Sequence, residues 1–150
     1  MDVAVKLGLI RKNTDGDYFD FFRDRLLFSI LPSDAGSETA EADFSSFKIL
    51  GFSGRALNDE VQPKYLNSPE SSIYQKSASL LGAKAARPVV RGTNQVILVE
   101  GNFDLLRLHQ EGVKNAVAPL GTALTEAQIR LMSRWTDQMP KFVRLRRLLA

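Results

Sequence analysis

Apolar residues along this chain fall into short runs that read as strands and into three-to-four spaced sets that read as helices. Leu26-Leu27-Phe28-Ser29-Ile30-Leu31 is an apolar run closed by Pro32, which predicts a strand. Residues 33–46 are small, polar and acidic and read as a surface loop. Residues 47–57 predict a second strand returning from it, with Gly51 and Gly54 marking a bulge or a close approach of backbone to a ligand. Upstream, a turn signal at Asn13-Thr14-Asp15-Gly16 precedes the aromatic cluster Tyr18, Phe19, Phe21 and Phe22, expected to pack a short helix or turn onto the core. Asn58-Asp59-Glu60 reads as a turn, residues 62–69 as irregular and residues 73–86 as weakly helical. Residues 87–94, with Pro88 and Gly92, read as a linker between two lobes.

The last third is more sharply punctuated. Val96-Ile97-Leu98-Val99 is a continuous apolar run, as in a strand buried on both faces of a parallel sheet. Residues 103–111 predict a helix stopped by Gly112, and Ala116-Val117-Ala118 a second strand. Thr125-Glu126-Ala127-Gln128 predicts a capping box, with Leu124 stapled against Ile129 and with Ile129, Met132 and Trp135 on one helical face. Strand, helix, strand, helix is the opening of a doubly wound α/β unit, whose next element is a third strand.

Composition narrows the options without naming one. With 150 residues, 44% of them hydrophobic, the chain can bury a real core. No apolar run approaches the ~20 residues that cross a bilayer, and no export signal opens the chain. A cytoplasmic location is therefore the expectation. The absence of cysteine removes disulfides and any Cys-based zinc site from this piece. A net charge of +3 and a pI near 9.3 are only mildly basic, although residues 138–150 hold Lys141, Arg144, Arg146 and Arg147 and no acid.

Glu100 is the sharpest chemical feature. It stands at the carboxyl end of a buried strand, where open α/β sheets place ligands, with Asp104 in the first turn of the next helix. Two carboxylates so placed suit Mg²⁺, a hard cation that prefers oxygen ligands and substrate phosphates. By spacing alone Asp104 serves equally well to complement the helix dipole, with Glu100 as a solvated acid. His109 is the only histidine and forms no triad, and Ser53, Ser68 and Ser72 lack a base, so serine hydrolysis is unsupported.

The stretch Val96-Ile97-Leu98-Val99-Glu100-Gly101-Asn102-Phe103-Asp104 resembles the first motif of the Toprim fold of bacterial-type primases and topoisomerases. Its continuation through Asn115-Ala116-Val117-Ala118-Pro119-Leu120-Gly121-Thr122 resembles the primases specifically. So do Phe22-Arg23-Asp24-Arg25-Leu26-Leu27-Phe28, Gly51-Phe52-Ser53-Gly54-Arg55-Ala56-Leu57 and Pro63-Lys64-Tyr65-Leu66-Asn67-Ser68-Pro69-Glu70. The resemblance implies an α/β chain, with a mixed α+β N-terminal lobe at 1–86 and a Rossmann-like Toprim sheet at 94–150 that is incomplete. It implies a DNA-directed RNA polymerase making replication primers by Mg²⁺-dependent nucleotidyl transfer. Single-stranded DNA template, nucleoside triphosphates and, in the longer family members, a replicative helicase are the implied partners. Glu100 and Asp104 take the catalytic and metal-binding roles. Arg55 and Lys64, with Tyr65 and Asn67 nearby and then Arg23, Arg25 and Lys76, face template and nucleotide.

Departures from the family pattern are equally visible. The family closes its metal site with an Asp-x-Asp pair on a third strand, whereas residues 139–150 hold no aspartate. Phe142, Leu145 and Leu149 repeat at helical spacing opposite Lys141, Arg144 and Arg147, so the tail reads as a basic amphipathic helix that leaves the sheet a strand short, with an exposed apolar edge. A shifted reading frame or early stop after Asp137 is the expected origin, and the N-terminal zinc-binding and C-terminal helicase-binding domains of the family have no counterpart here. Ser29 replaces proline, Ser53 replaces glycine and Gln75-Lys76-Ser77 replaces His-Lys-Gly, and the loop at 34–46 is longer than usual. The sequence thus poses two functions, a piece of a primase core and a non-catalytic nucleic-acid-binding remnant of one. Other Toprim enzymes fit less well, since no tyrosine sits in a topoisomerase-like context.

Overall fold

The computed structural model describes residues 2–33, 48–121 and 123–143. Met1, residues 34–47, on which most of the expected surface loop falls, Thr122 and residues 144–150 lie outside the described residues. Helix α1 (Asp2–Lys6) leads into a hairpin of β1 (Ile10–Lys12) and β2 (Tyr18–Asp20). Asn13 holds its turn: the backbone oxygen accepts from Gly16 N at 3.2 Å and the side-chain oxygen from Asp17 N at 2.7 Å. Gly16 has φ +95°, a conformation that costs glycine nothing. Strands β3 (Arg25–Ile30), β4 (Gly51–Ala56) and β5 (Tyr65–Asn67) then form an antiparallel sheet in that order.

Strand β5 corrects the irregular reading of residues 62–69. The free edge of β4 captures it, with Ala56 N donating to Lys64 O at 3.0 Å and Ser68 N to Phe52 O at 2.8 Å. The two glycines of β4 are also reassigned. A Cβ at Gly51 would lie 3.0 Å from Ser68 Cβ, and one at Gly54 2.9 Å from Phe22 Cδ1. The close approach that excludes a side chain there is made by the chain's own residues rather than by a ligand.

After a 3₁₀ turn (Lys76–Ala78) come β6 (Leu80–Leu81), α2 (Ala83–Thr93), β7 (Ile97–Leu98), α3 (Asn102–Gln110), β8 (Ala116–Pro119), α4 (Glu126–Met132) and β9 (Lys141–Phe142). The supposed linker at 87–94 is most of α2, and residues 73–86 split into turn, strand and helix start. Ala83, Ala86 and Val90 lie on one face of α2 and are buried, which outweighs the interruption at Pro88. The sheet order is β6-β8-β7-β9, with β7 parallel to both neighbours and β6 antiparallel to β8.

Strand β9 corrects the helical reading of the tail at its start. Lys141 N donates to Val96 O and Val143 N to Leu98 O, each at 2.9 Å, so the open edge of β7 templates a third parallel strand. The remainder of the proposed helix lies outside the described residues.

The strands alternate cleanly between two cores. Leu80, Leu98 and Val117 meet α2, Met132 and Trp135 on one face. Leu81, Val99, Ala116 and Ala118 meet Leu105 of α3 on the other, together with Ile30 of β3 and Tyr74. The second core therefore joins the antiparallel sheet to the parallel one. Each fully buried aliphatic side chain is worth roughly 1.5–3 kcal/mol, so this junction is a substantial part of the fold. On α4 the buried positions are Gln128 and Met132, not Ile129, which is exposed.

Candidate functional site

Strand β7 ends at the carboxyl edge of the sheet, and Glu100 follows directly on Val99 with its side chain exposed. Gly101, in extended conformation, caps α3. A Cβ there would sit 3.1 Å from Asp104 Oδ2, so the Asp104 carboxylate folds back over the turn that carries Glu100. Glu100 therefore follows the strand end directly, and the Asp104 carboxylate lies against the Gly101 backbone beside it. Among the described residues no group of three His, Cys, Asp or Glu side chains comes together. An all-oxygen pair beside open space still fits Mg²⁺, which keeps several waters and takes further oxygens from bound phosphates.

The basic residues come from the antiparallel sheet. Arg55 on β4 lies opposite Tyr65 on β5, with its guanidinium carbon 5.2 Å from the ring centroid, and Nη1 donates to Ala56 O at 2.9 Å. Lys64 is exposed immediately before β5. Arg25 begins β3, and its Nη1 is buried with no hydrogen-bond partner. Arg23 lies over Phe19 at 4.8 Å, on the hairpin side. Lys76 is elsewhere: its backbone N donates to Glu70 Oε1 at 3.0 Å and its backbone O accepts from Gln128 Nε2 at 3.3 Å, beside the start of α4. Arg55, Tyr65 and Asn67 therefore share one face of the antiparallel sheet, Lys64 is one residue out of step with them just before β5, and Lys76 is held by a different element.

Two hydrogen bonds span the junction. Asn102 Nδ2 donates to Ser53 Oγ at 2.9 Å, with both residues buried, and Asn67 Nδ2 donates to Leu120 O at 2.9 Å. Phe28 and Phe103 add an edge-on ring contact at 5.8 Å. Sequence reasoning took Ser53 for a base-less serine and passed over Asn102. Neither carries a local signal, since Asn102 lies among Glu100, Gly101 and Asp104 and Ser53 between Phe52 and Gly54. His109 is structural: its Nε2 lies 2.9 Å from Ala116 O, and its pKa is lowered, first by burial and then by Lys114, with the Ala116 bond opposing.

A central parallel strand with an acidic carboxyl end, flanked by helices and joined to a basic antiparallel sheet, defines a Toprim-type α/β fold. The chain matches the DNA primase catalytic core, N-terminal domain, over residues 1–87 and the Toprim domain over residues 94–146. It is 40% identical over 138 residues to a DNA primase of Synechococcus elongatus, covering 91% of this chain and 18% of that protein. Among solved structures, the Aquifex aeolicus primase zinc-binding and RNA polymerase domains match with a TM-score of 0.81 at 34% identity, covering 95% of this chain and 32% of that one. A DnaG primase catalytic domain bound to ssDNA matches with a TM-score of 0.74 at 32% identity, covering 95% of this chain and 41% of that one. This chain belongs to the bacterial-type DNA primase family. It spans about a fifth of the length of the curated relatives it matches. No helix among the described residues is long and apolar enough to cross a membrane.

Proposed function

We propose that this chain supplies part of the catalytic core of a primase, with residues 1–86 as its N-terminal lobe and 94–150 as its Toprim portion. One observation carries the reading: the sheet bearing Arg55 and Lys64 is hydrogen-bonded to the strand ends beside Glu100 and Asp104. Arg55 and Lys64 bind phosphates of template and incoming nucleotide, Arg through its planar fork and Lys as a point charge. Stacking on Tyr65 preorients the Arg55 guanidinium, and Asn67, Arg23, Arg25 and Lys76 are the further residues that the resemblance assigns to template and nucleotide. Glu100 and Asp104 would hold Mg²⁺, which in nucleotidyl transfer lowers the pKa of the attacking hydroxyl and neutralises charge on the departing pyrophosphate. The substrates are single-stranded DNA and nucleoside triphosphates, the location is the cytoplasm, and a replicative helicase is the partner expected of full-length family members.

The second reading, a nucleic-acid-binding remnant, draws on residues 139–150, which hold no aspartate, so that this chain alone supplies only two of the family's carboxylates. Binding of a fluorescent single-stranded oligonucleotide, measured with and without Mg²⁺ over a salt series, tests both. Salt-sensitive binding that Arg55→Ala and Lys64→Ala weaken supports the shared surface, and a chain that ignores DNA refutes it. Metal-dependent primer synthesis by the purified chain would exclude the remnant reading.

A further inference from the structure

Ser53 and Asn67 face each other directly across β4 and β5. Each makes one hydrogen bond to the Toprim portion, and the two partners follow different strand ends. Ser53 takes the amide of Asn102, just past β7, and Asn67 donates to Leu120 O, just past β8. Arg55 and Tyr65 are the next directly opposed pair on the same face of the antiparallel sheet, two residues along, or roughly 7 Å. Asn102 itself lies between Glu100 and Asp104 at the first position of α3, and Gly101 before it makes no side-chain cap.

From this geometry we propose that Ser53 and Asn102 are positioning residues that fix the carboxylate-bearing turn to the basic strand. The inference rests on the primase reading for its functional meaning, but the anchoring itself is independent of that reading. A rotation of the turn would carry Glu100 and Asp104 together away from Arg55, because Asn102 is the one residue of the turn with its side chain buried against β4. Both partners are almost fully buried, at 2% and 3% exposure, so water cannot replace the bond without a gap opening. Asn67–Leu120 supplies the second point of attachment, and two points prevent the sheets from pivoting about one.

The test uses the full chain with Ser53→Ala, Asn102→Ala and the double substitution. Amide hydrogen exchange is followed by NMR at Leu105 and Leu106, the first hydrogen-bonded amides of α3, and at Val117 in β8 as reference. Each single variant should speed exchange in the α3 turn at least tenfold relative to Val117, and the double should add less than threefold more. Uniform acceleration at all three sites, or none, would overturn the anchoring. In parallel, nucleoside triphosphate affinity is measured with and without Mn²⁺. The unmodified chain should bind several-fold more tightly with the metal, and both variants should lose that enhancement while keeping their metal-free affinity. Enhancement retained in both variants overturns the positioning role. Absence of any enhancement in the unmodified chain counts against the primase reading of the site, and the exchange data then decide the anchoring alone.

Discussion

Tyr74 offers the cleanest quantitative test of the core. Its side chain is 1% exposed within the cluster that joins the two sheets, and its hydroxyl is buried with no hydrogen-bond partner. A buried hydroxyl left unmade costs about 1–3 kcal/mol, whereas the ring itself packs favourably. Tyr74→Phe removes the cost and keeps the ring, so we expect a gain of about 1 kcal/mol, or about 2–4 °C in Tm for a chain of this size. Burial, reinforced by the charge of Glu70, pushes the Tyr74 pKa up from 10.0 to about 12. A raised pKa means that the folded chain holds its proton while the unfolded chain loses it, so stability falls as pH rises from 10 towards 12. Linkage puts that loss at about 1 kcal/mol by pH 11 and about 3 kcal/mol once both states are ionised. Urea denaturation of both proteins between pH 7 and 11 reads the difference directly, because every other titrating group is shared. The gap should widen with pH in favour of the phenylalanine variant. A variant less stable than its parent at pH 7 by 1 kcal/mol or more would refute the reasoning, and would show that the hydroxyl is bonded after all.

Further outcomes follow from single contacts. Gln128 is fully buried and bonds Thr125 N, Lys76 O and Ser79 O, so Gln128→Ala should cost about 2–3 kcal/mol in urea melts. Because burial lowers the His109 pKa, an NMR titration should give a midpoint below 6.5; stability should fall as pH drops below that value, and His109→Gln should flatten the fall. Gly82→Ala introduces a Cβ at φ +78° and 2.9 Å from Leu105 Cδ2, and should cost at least 1 kcal/mol by the same assay.

Elements defined by local chemistry were legible in the sequence, and those defined by distant partners were not. The capping box at Thr125 and Gln128 forms with both of its bonds, the apolar run at 96–99 contains β7, and the runs at 26–31 and 116–118 match β3 and β8 to within one residue at either end. Helix α2 was misread because Pro88 and Gly92 signal a break more loudly than Ala83, Ala86 and Val90 signal a face. Strands β5 and β9 exist because β4 and β7 offer open edges, which short polar segments do not announce. Ile129 lost the buried face of α4 to Gln128, whose amide finds backbone partners around residues 76–79. At the site, the placement of Glu100 after β7 and of Asp104 in the first turn of α3 could be read from the pattern, but the Ser53–Asn102 bond joins residues 49 apart and had no local signature.

The pairing of β6 with β8 has a consequence for how the chain reaches this state. Leu80–Leu81 precede α2, yet they complete the sheet whose other strands all follow it. No peptide cut near residues 82–95 yields two self-sufficient halves, since the first would keep an orphan strand and the second a bare sheet edge. Unfolding should therefore be a single cooperative event, and folding should wait on closing loops of some fifty residues between the Ser77–Ser79 turn and α4.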